Sequence, residues 1–404
     1  MSSPLPTHAN VFSLHFAIQR LTYKVRVTEG RTEASSMASP QCLVNWSMNH
    51  HNATASLPPL RPRNLQIDAL RGVAAFSIML FHFTAWYGKS QVDGILHLDN
   101  FIHAPYFAIY FGDLGVPLFF MISGYVITGS CEHRKTVSSF SYSRFIRLYP
   151  LYWCSIIFAI TCYLPSNGRT AAYAPEWLTI AINFSMLQTG VNVRNVNEAY
   201  WTLYIELQFY ALVALALATQ QIKQLPIHVL GVTTVYAVLT ALRCWDWVPG
   251  IWRIKPMFPL LVFLNYFALG IWVRHLQKPE VSKKLGRAAI GLSCVFLFIR
   301  PPYNPLAVLV IFLIFWAACE RKLKILENRL LISLGTISYA LYLVHGPCGY
   351  TMLNYLQKHI QIDILIAVAV FMSITVASLL TFAIEKPAHK LLRQSTRPKT
   401  SSSH

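Results

Sequence analysis

The 404-residue chain is 54% hydrophobic and only 12% charged, against about 25% charged in an ordinary globular domain, which excludes an ordinary soluble domain and points to a polytopic membrane protein. The net charge of +18 does not signal a nucleic-acid partner, because Lys and Arg gather between apolar runs, where cytoplasmic loops are basic. Eight scattered cysteines without a Cys-x-x-Cys pair read as small apolar fillers, so neither a disulfide frame nor a metal site is expected, and no permanently bound cofactor.

Residues 1–63 are rich in Ser, Thr, Asn, His and Pro and hold no apolar run long enough for a signal peptide. They are expected to form a disordered tail; the alternative is an upstream extension, with Met37 or Met48 the real start. The Asn52-Ala53-Thr54 glycosylation pattern is too common to count. Residues 64–390 form the expected membrane domain and 391–404 a cytoplasmic tail.

Ten spans are predicted, near 71–88, 105–129, 148–164, 200–219, 227–242, 257–275, 287–299, 304–319, 333–356 and 362–384. A polar loop with His97 and His103 follows the first. A basic loop with Arg134, Lys135, Arg144 and Arg147 precedes the third. The apolar stretch 176–189 is too short to cross and reads as an interfacial helix or partial span. Counting it would also put the basic segments 274–287 and 321–329 outside. With both termini in the cytoplasm, the loops richest in Lys and Arg all lie inside, as the positive-inside rule requires. The expected fold is an all-α bundle of about ten transmembrane helices.

Asp68-Ala-Leu-Arg71 opens the first span, and His82 lies eleven positions after Arg71. That spacing is about three helical turns, so both side chains share a face about 16 Å apart. With a hydrocarbon core roughly 30 Å thick, an Arg at one surface puts His82 near mid-depth, where an ionisable group marks function by default. A capping Arg followed by a histidine satisfied by a neighbouring helix is the structural alternative. Arg144-Phe-Ile-Arg147 puts two guanidinium forks on one helix face, a geometry suited to phosphate oxygens, or ordinary cytoplasmic charge. Glu206 enters the fourth span from the opposite side, either as a structural carboxylate or as a catalytic one. His345 shares a face with Ser338 and Tyr342, as a Tyr-bonded structural histidine or a second active-site imidazole. Glu385-Lys386-Pro387 reads mainly as a helix stop. Ser123 and Gly124 are small enough for another helix to approach closely. Together, a mid-membrane imidazole, paired arginines and an acid from the opposite side point to group transfer from a phosphorylated donor.

These motifs resemble the acyltransferase 3 family of integral-membrane O-acyltransferases over about 64–390. Six elements match in order. They are Arg71-x10-His82 with Asp68 before it, Phe119-Phe-x-Ile-Ser-Gly124, Arg144-x-x-Arg147, Trp201-Thr-Leu-x-x-Glu206-x-x-Phe-Tyr210, Ser338-Tyr-x-x-Tyr-x-x-His345, and Glu385-x-Pro387. Thr202 stands where the family has Ser, which keeps the hydroxyl. The resemblance implies transfer of an acetyl or other short acyl group from acyl-coenzyme A to a carbohydrate hydroxyl, for example on an exopolysaccharide or its lipid-linked precursor. The expected roles are Arg144 and Arg147 on the coenzyme A phosphates, Arg71 at the thioester, His82 as base or acyl carrier, and Glu206 and His345 placing the acceptor or relaying protons from the outer half. The expected partners are acyl-CoA, a carbohydrate acceptor and the bilayer. Two other readings stay open: a secondary transporter or flippase with a His/Glu proton relay, which should show two similar halves, and a membrane subunit without chemistry. No such symmetry is visible.

Overall fold

The computed structural model describes residues 64–86, 111–131, 136–163, 176–244, 257–299, 301–356 and 359–395. The N-terminal tail with Met37, Met48 and Asn52, the loop with His97 and His103, and the pair Arg134 and Lys135 lie outside the described residues. Within them the protein is all-α, with no strand among the described residues. In chain order the helices are α1 Leu65–Phe81, α2 Gly115–Cys131, α3 Val137–Tyr163, α4 Trp177–Phe184, α5 Trp201–Ala218, α6 Leu225–Ala241, α7 Leu260–Leu276, α8 Lys283–Phe296, α9 Pro305–Cys319, α10 Arg329–Leu356, α11 Ile362–Leu380 and α12 Lys386–Ser395. π turns continue α1 over His82–Trp86 and α11 over Thr381–Glu385.

Among the described residues six helical segments are long and apolar enough to cross a bilayer, and α6, α7 and α9 are shorter apolar helices. Their ends follow local chemistry. The Asn64 side chain accepts from Gln66 N, Ser282 from Leu285 N, and Asn304 from Leu306 N and Ala307 N, each satisfying donors that open a helix. Pro305 takes the first turn of α9, where its missing N–H costs nothing.

Three boundaries differ from expectation. α1 starts six residues earlier than the hydropathy run, because Asn64 caps it and Gln66 is fully buried. Gln66 Nε2 donates to Glu327 Oε1 at 2.8 Å, and its Oε1 accepts from Leu323 N at 3.0 Å. α3 starts at Val137, so Arg144 and Arg147 lie within a helix rather than on a loop, and Pro150 is carried inside it. Glu385-Lys386-Pro387 is not a stop: α12 begins directly after the π turn, with Pro387 in its tolerated first turn. The stretch after 176 forms only the eight-residue α4.

Two helix crossings fix the middle of the bundle. α1 lies along α10 and α2 along α7. Gly72 and Gly335 meet at the first crossing, where a Cβ on Gly335 would collide with the Asp68 carbonyl. Gly124 and Gly270 meet at the second, against the carbonyls of Phe267 and Met121. Within lipid, packing rather than hydrophobic exclusion holds helices together, and small residues let backbones touch. Around these crossings Met79, Phe83, Met121, Phe209, Phe267 and Trp272 are all within 1% of complete burial.

Candidate active site

The α1–α10 contact brings together two histidines 263 positions apart in the chain. His82 Nδ1 lies 2.6 Å from His345 Nε2. Their ring centroids are 4.9 Å apart and the planes differ by 14°, the geometry of an in-line bond between nearly coplanar rings. His345 is fully buried. Its Nδ1 is 2.9 Å from the Leu341 carbonyl oxygen, which can only accept, so Nδ1 carries the proton. In the neutral pair His345 Nε2 therefore accepts from His82 Nδ1–H, and the basic lone pair of His82 is on Nε2. His82 sits where α1 passes into its π turn, a distortion frequent at functional sites. Phe83 and Tyr350 close around the pair, with Phe83 6.2 Å from the His345 ring and Tyr350 6.5 Å from the His82 ring.

A cavity of about 760 Å³, mouth included, opens between α1, α2, α3, α5 and α10. Arg71, Arg147 and Glu206 give it charge; Val116, Phe119, Phe120 and Leu203 are among its apolar walls. Neither Arg71 nor Arg147 has a hydrogen-bond or ion-pair partner among the described residues. A desolvated guanidinium without a carboxylate in contact is costly, and two of them facing one cavity make a seat for an anion. Glu206 is held differently. Its Oε1 accepts from Ser123 Oγ at 3.1 Å and from Tyr210 OH at 2.5 Å.

Tyr342 joins cavity and histidine pair. It lines the cavity, and its ring lies 6.0 Å from that of His345. Its hydroxyl donates to the Ala199 carbonyl at 2.9 Å and lies 2.6 Å from Thr202 Oγ1. Phe119 meets it edge-on at 5.8 Å.

The acyltransferase domain profile matches residues 64–383. The chain belongs to the acyltransferase 3 family. Curated relatives of this acyltransferase include the acyltransferase MdmB of Streptomyces mycarofaciens, 24% identical over 72% of this chain and 80% of MdmB. BcsY of Komagataeibacter xylinus, whose name describes a membrane-bound transacylase, is 24% identical over 80% of this chain and 82% of BcsY. Nodulation protein 10 of Rhizobium leguminosarum bv. viciae is 24% identical over 35% of this chain and 41% of its own length. No solved structure matches the chain significantly. The protein is thus an integral-membrane O-acyltransferase.

Of the residues singled out in sequence, this acyltransferase gathers Arg71, Arg147 and Glu206 on one cavity and His82 with His345 beside it. Arg144 stands apart from the cavity wall. It is 8% exposed, with its guanidinium 5.5 Å from the Phe140 ring and 5.7 Å from the Tyr210 ring. Tyr210 thus lies between Arg144 and Glu206. Tyr210, Thr202 and Tyr342 lie in the two aromatic motifs, but no spacing in the sequence announces the contacts that Tyr342 makes with Thr202 and Ala199. Tyr210 is four residues after Glu206, one helical turn away.

Proposed function

We propose that the cavity takes the acyl-coenzyme A donor, with Arg147 and Arg71 on its phosphates and thioester end, and that His82 is the general base. The observation that carries this reading is a pair of guanidiniums, without a partner among the described residues, on a cavity whose Tyr342 wall adjoins an oriented imidazole pair. A base whose second nitrogen is fixed by a third group is the arrangement nucleophile activation requires. In the reaction His82 Nε2 takes the proton of the acceptor hydroxyl as its oxygen attacks the thioester carbonyl. The C–S bond then breaks, and the imidazolium returns the proton to the departing thiolate, so charge and protons balance. A transient acyl group on His82 is the variant of the same chemistry. Glu206, whose Oε1 is already engaged, positions the acceptor with Oε2. The acceptor is a hydroxyl of a cell-surface carbohydrate, an exopolysaccharide or its lipid-linked precursor. The donor carries acetyl or another short acyl group. The membrane is the bacterial cytoplasmic membrane, with both termini inside; the bacterial sources of the three relatives support that setting.

Membranes carrying His82→Ala should lose acetyl transfer from labelled acetyl-coenzyme A while the protein still elutes as a folded species in detergent. Full activity in that variant removes His82 from the mechanism. Mass spectra of surface glycans with and without the protein should differ by one acyl mass, which names the acceptor.

A further inference from the structure

The π turn at the end of α11 carries an acid that the proposed chemistry leaves unused. Thr381–Glu385 packs against α3, which carries Arg147, and against α10, which carries the cavity residues Ser338, Tyr339 and Tyr342. The Glu385 side chain is 17% exposed and its Oε2 is buried. Its charge acts on both Arg147 and Arg71. It nevertheless makes an ion pair with neither; its one ion pair among the described residues is with His389 Nε2 at 3.9 Å, one turn on. A π turn inserts one residue into a helix and so re-aims the side chains after it. Here the result is a carboxylate within electrostatic reach of two guanidiniums but outside contact with them. Such a group offsets part of the cost of burying the cations while leaving their N–H donors open. Glu206 differs, being fixed by Ser123 and Tyr210.

We propose that Glu385 is the resident counter-ion of the Arg71–Arg147 seat, a carboxylate that opposes the phosphates of the donor and keeps the loaded state reversible. The proposal rests on the donor reading above. Glu385 supports the empty site and weakens the filled one, so that spent coenzyme A leaves after each turnover.

The test is binding of coenzyme A itself to the purified full-length protein in detergent. Glu385→Gln removes the charge at constant shape and should tighten the Kd about tenfold, with stronger product inhibition by coenzyme A and a lower kcat. Glu385→Asp keeps the charge and should bind within about twofold of the parent. Should the Gln variant not fold, Glu385→Ala must shift the Kd in the same direction. Unchanged or weaker binding by a folded charge-removing variant overturns the proposal, because a merely structural acid would loosen the site on removal. Tightening in the Asp variant equal to that in Gln also overturns it. Arg147→Ala tests the underlying reading separately. If that variant binds coenzyme A as the parent does, the donor assignment fails, whatever Glu385 does.

Discussion

At the scale of single residues, the site depends on which nitrogen or oxygen is already engaged. His345 spends Nδ1–H on a backbone carbonyl and so offers Nε2 to His82. His345→Gln should therefore lower kcat by about a hundredfold, the low end of what a positioned base contributes. KM for acyl-coenzyme A should stay within a factor of about two, because the arginine seat is untouched. Steady-state kinetics in detergent checks it; a KM effect with kcat intact would move His345 to donor binding. The sequence shows each histidine within an apolar run, but not their pairing, since they are 263 positions apart and meet only through helix packing. The two arginines of Arg144-x-x-Arg147 look equivalent at i,i+3, yet only Arg147 lines the cavity. The difference comes from Phe140, one turn before Arg144, and from Tyr210 on α5, whose rings cover the Arg144 guanidinium. No local pattern announces the second ring.

At the scale of elements, hydropathy reads the helices well because each must bury or expose a continuous apolar surface of set length. It reads their ends poorly where polar groups are satisfied inside. α1 begins before its apolar run because Gln66 finds partners on the α9–α10 connection and Asn64 on the last turn of α9, and α3 begins before its run because cavity and aromatic faces accept the two arginines. Glycines give a sharper element-scale expectation. A Cβ at Gly231, on α6, meets nothing within 4 Å. Gly231→Ala should leave activity unchanged and stabilise that helix by about 0.5–1 kcal/mol. Gly335→Ala, at the α1–α10 crossing, should abolish activity and lower the melting temperature, because the added methyl must push the two histidine-bearing helices apart. Thermal unfolding in detergent of both variants compares them directly; equal behaviour would mean that the crossing does not hold the site.

At the scale of the whole molecule, the proposed orientation of the bundle rests on the distribution of charge. Arg274, Lys278, Lys283, Lys284 and Arg287 cluster about the junction of α7 and α8, and Arg321, Lys322, Lys324 and Arg329 about the junction of α9 and α10. On the proposed orientation, which puts both clusters inside, single cysteines placed at Lys284 and Lys322 should react with an impermeant maleimide only after the cells are opened. A cysteine at Tyr303, at the other end of α9, should react in intact cells. The reverse pattern would invert the bundle and put the arginine cavity out of reach of a cytosolic donor.

The paired glycine contacts also constrain how the protein moves. In each of the two crossings backbone already rests on backbone, so α1 cannot come closer to α10, nor α2 to α7. The cavity takes walls from both pairs, with α3 and α5 completing it. On the donor reading proposed above, a bulky donor enters by parting the two clamped pairs along the seam between them. The distance between base and partner histidine, set inside one pair, stays constant while the seam opens and shuts.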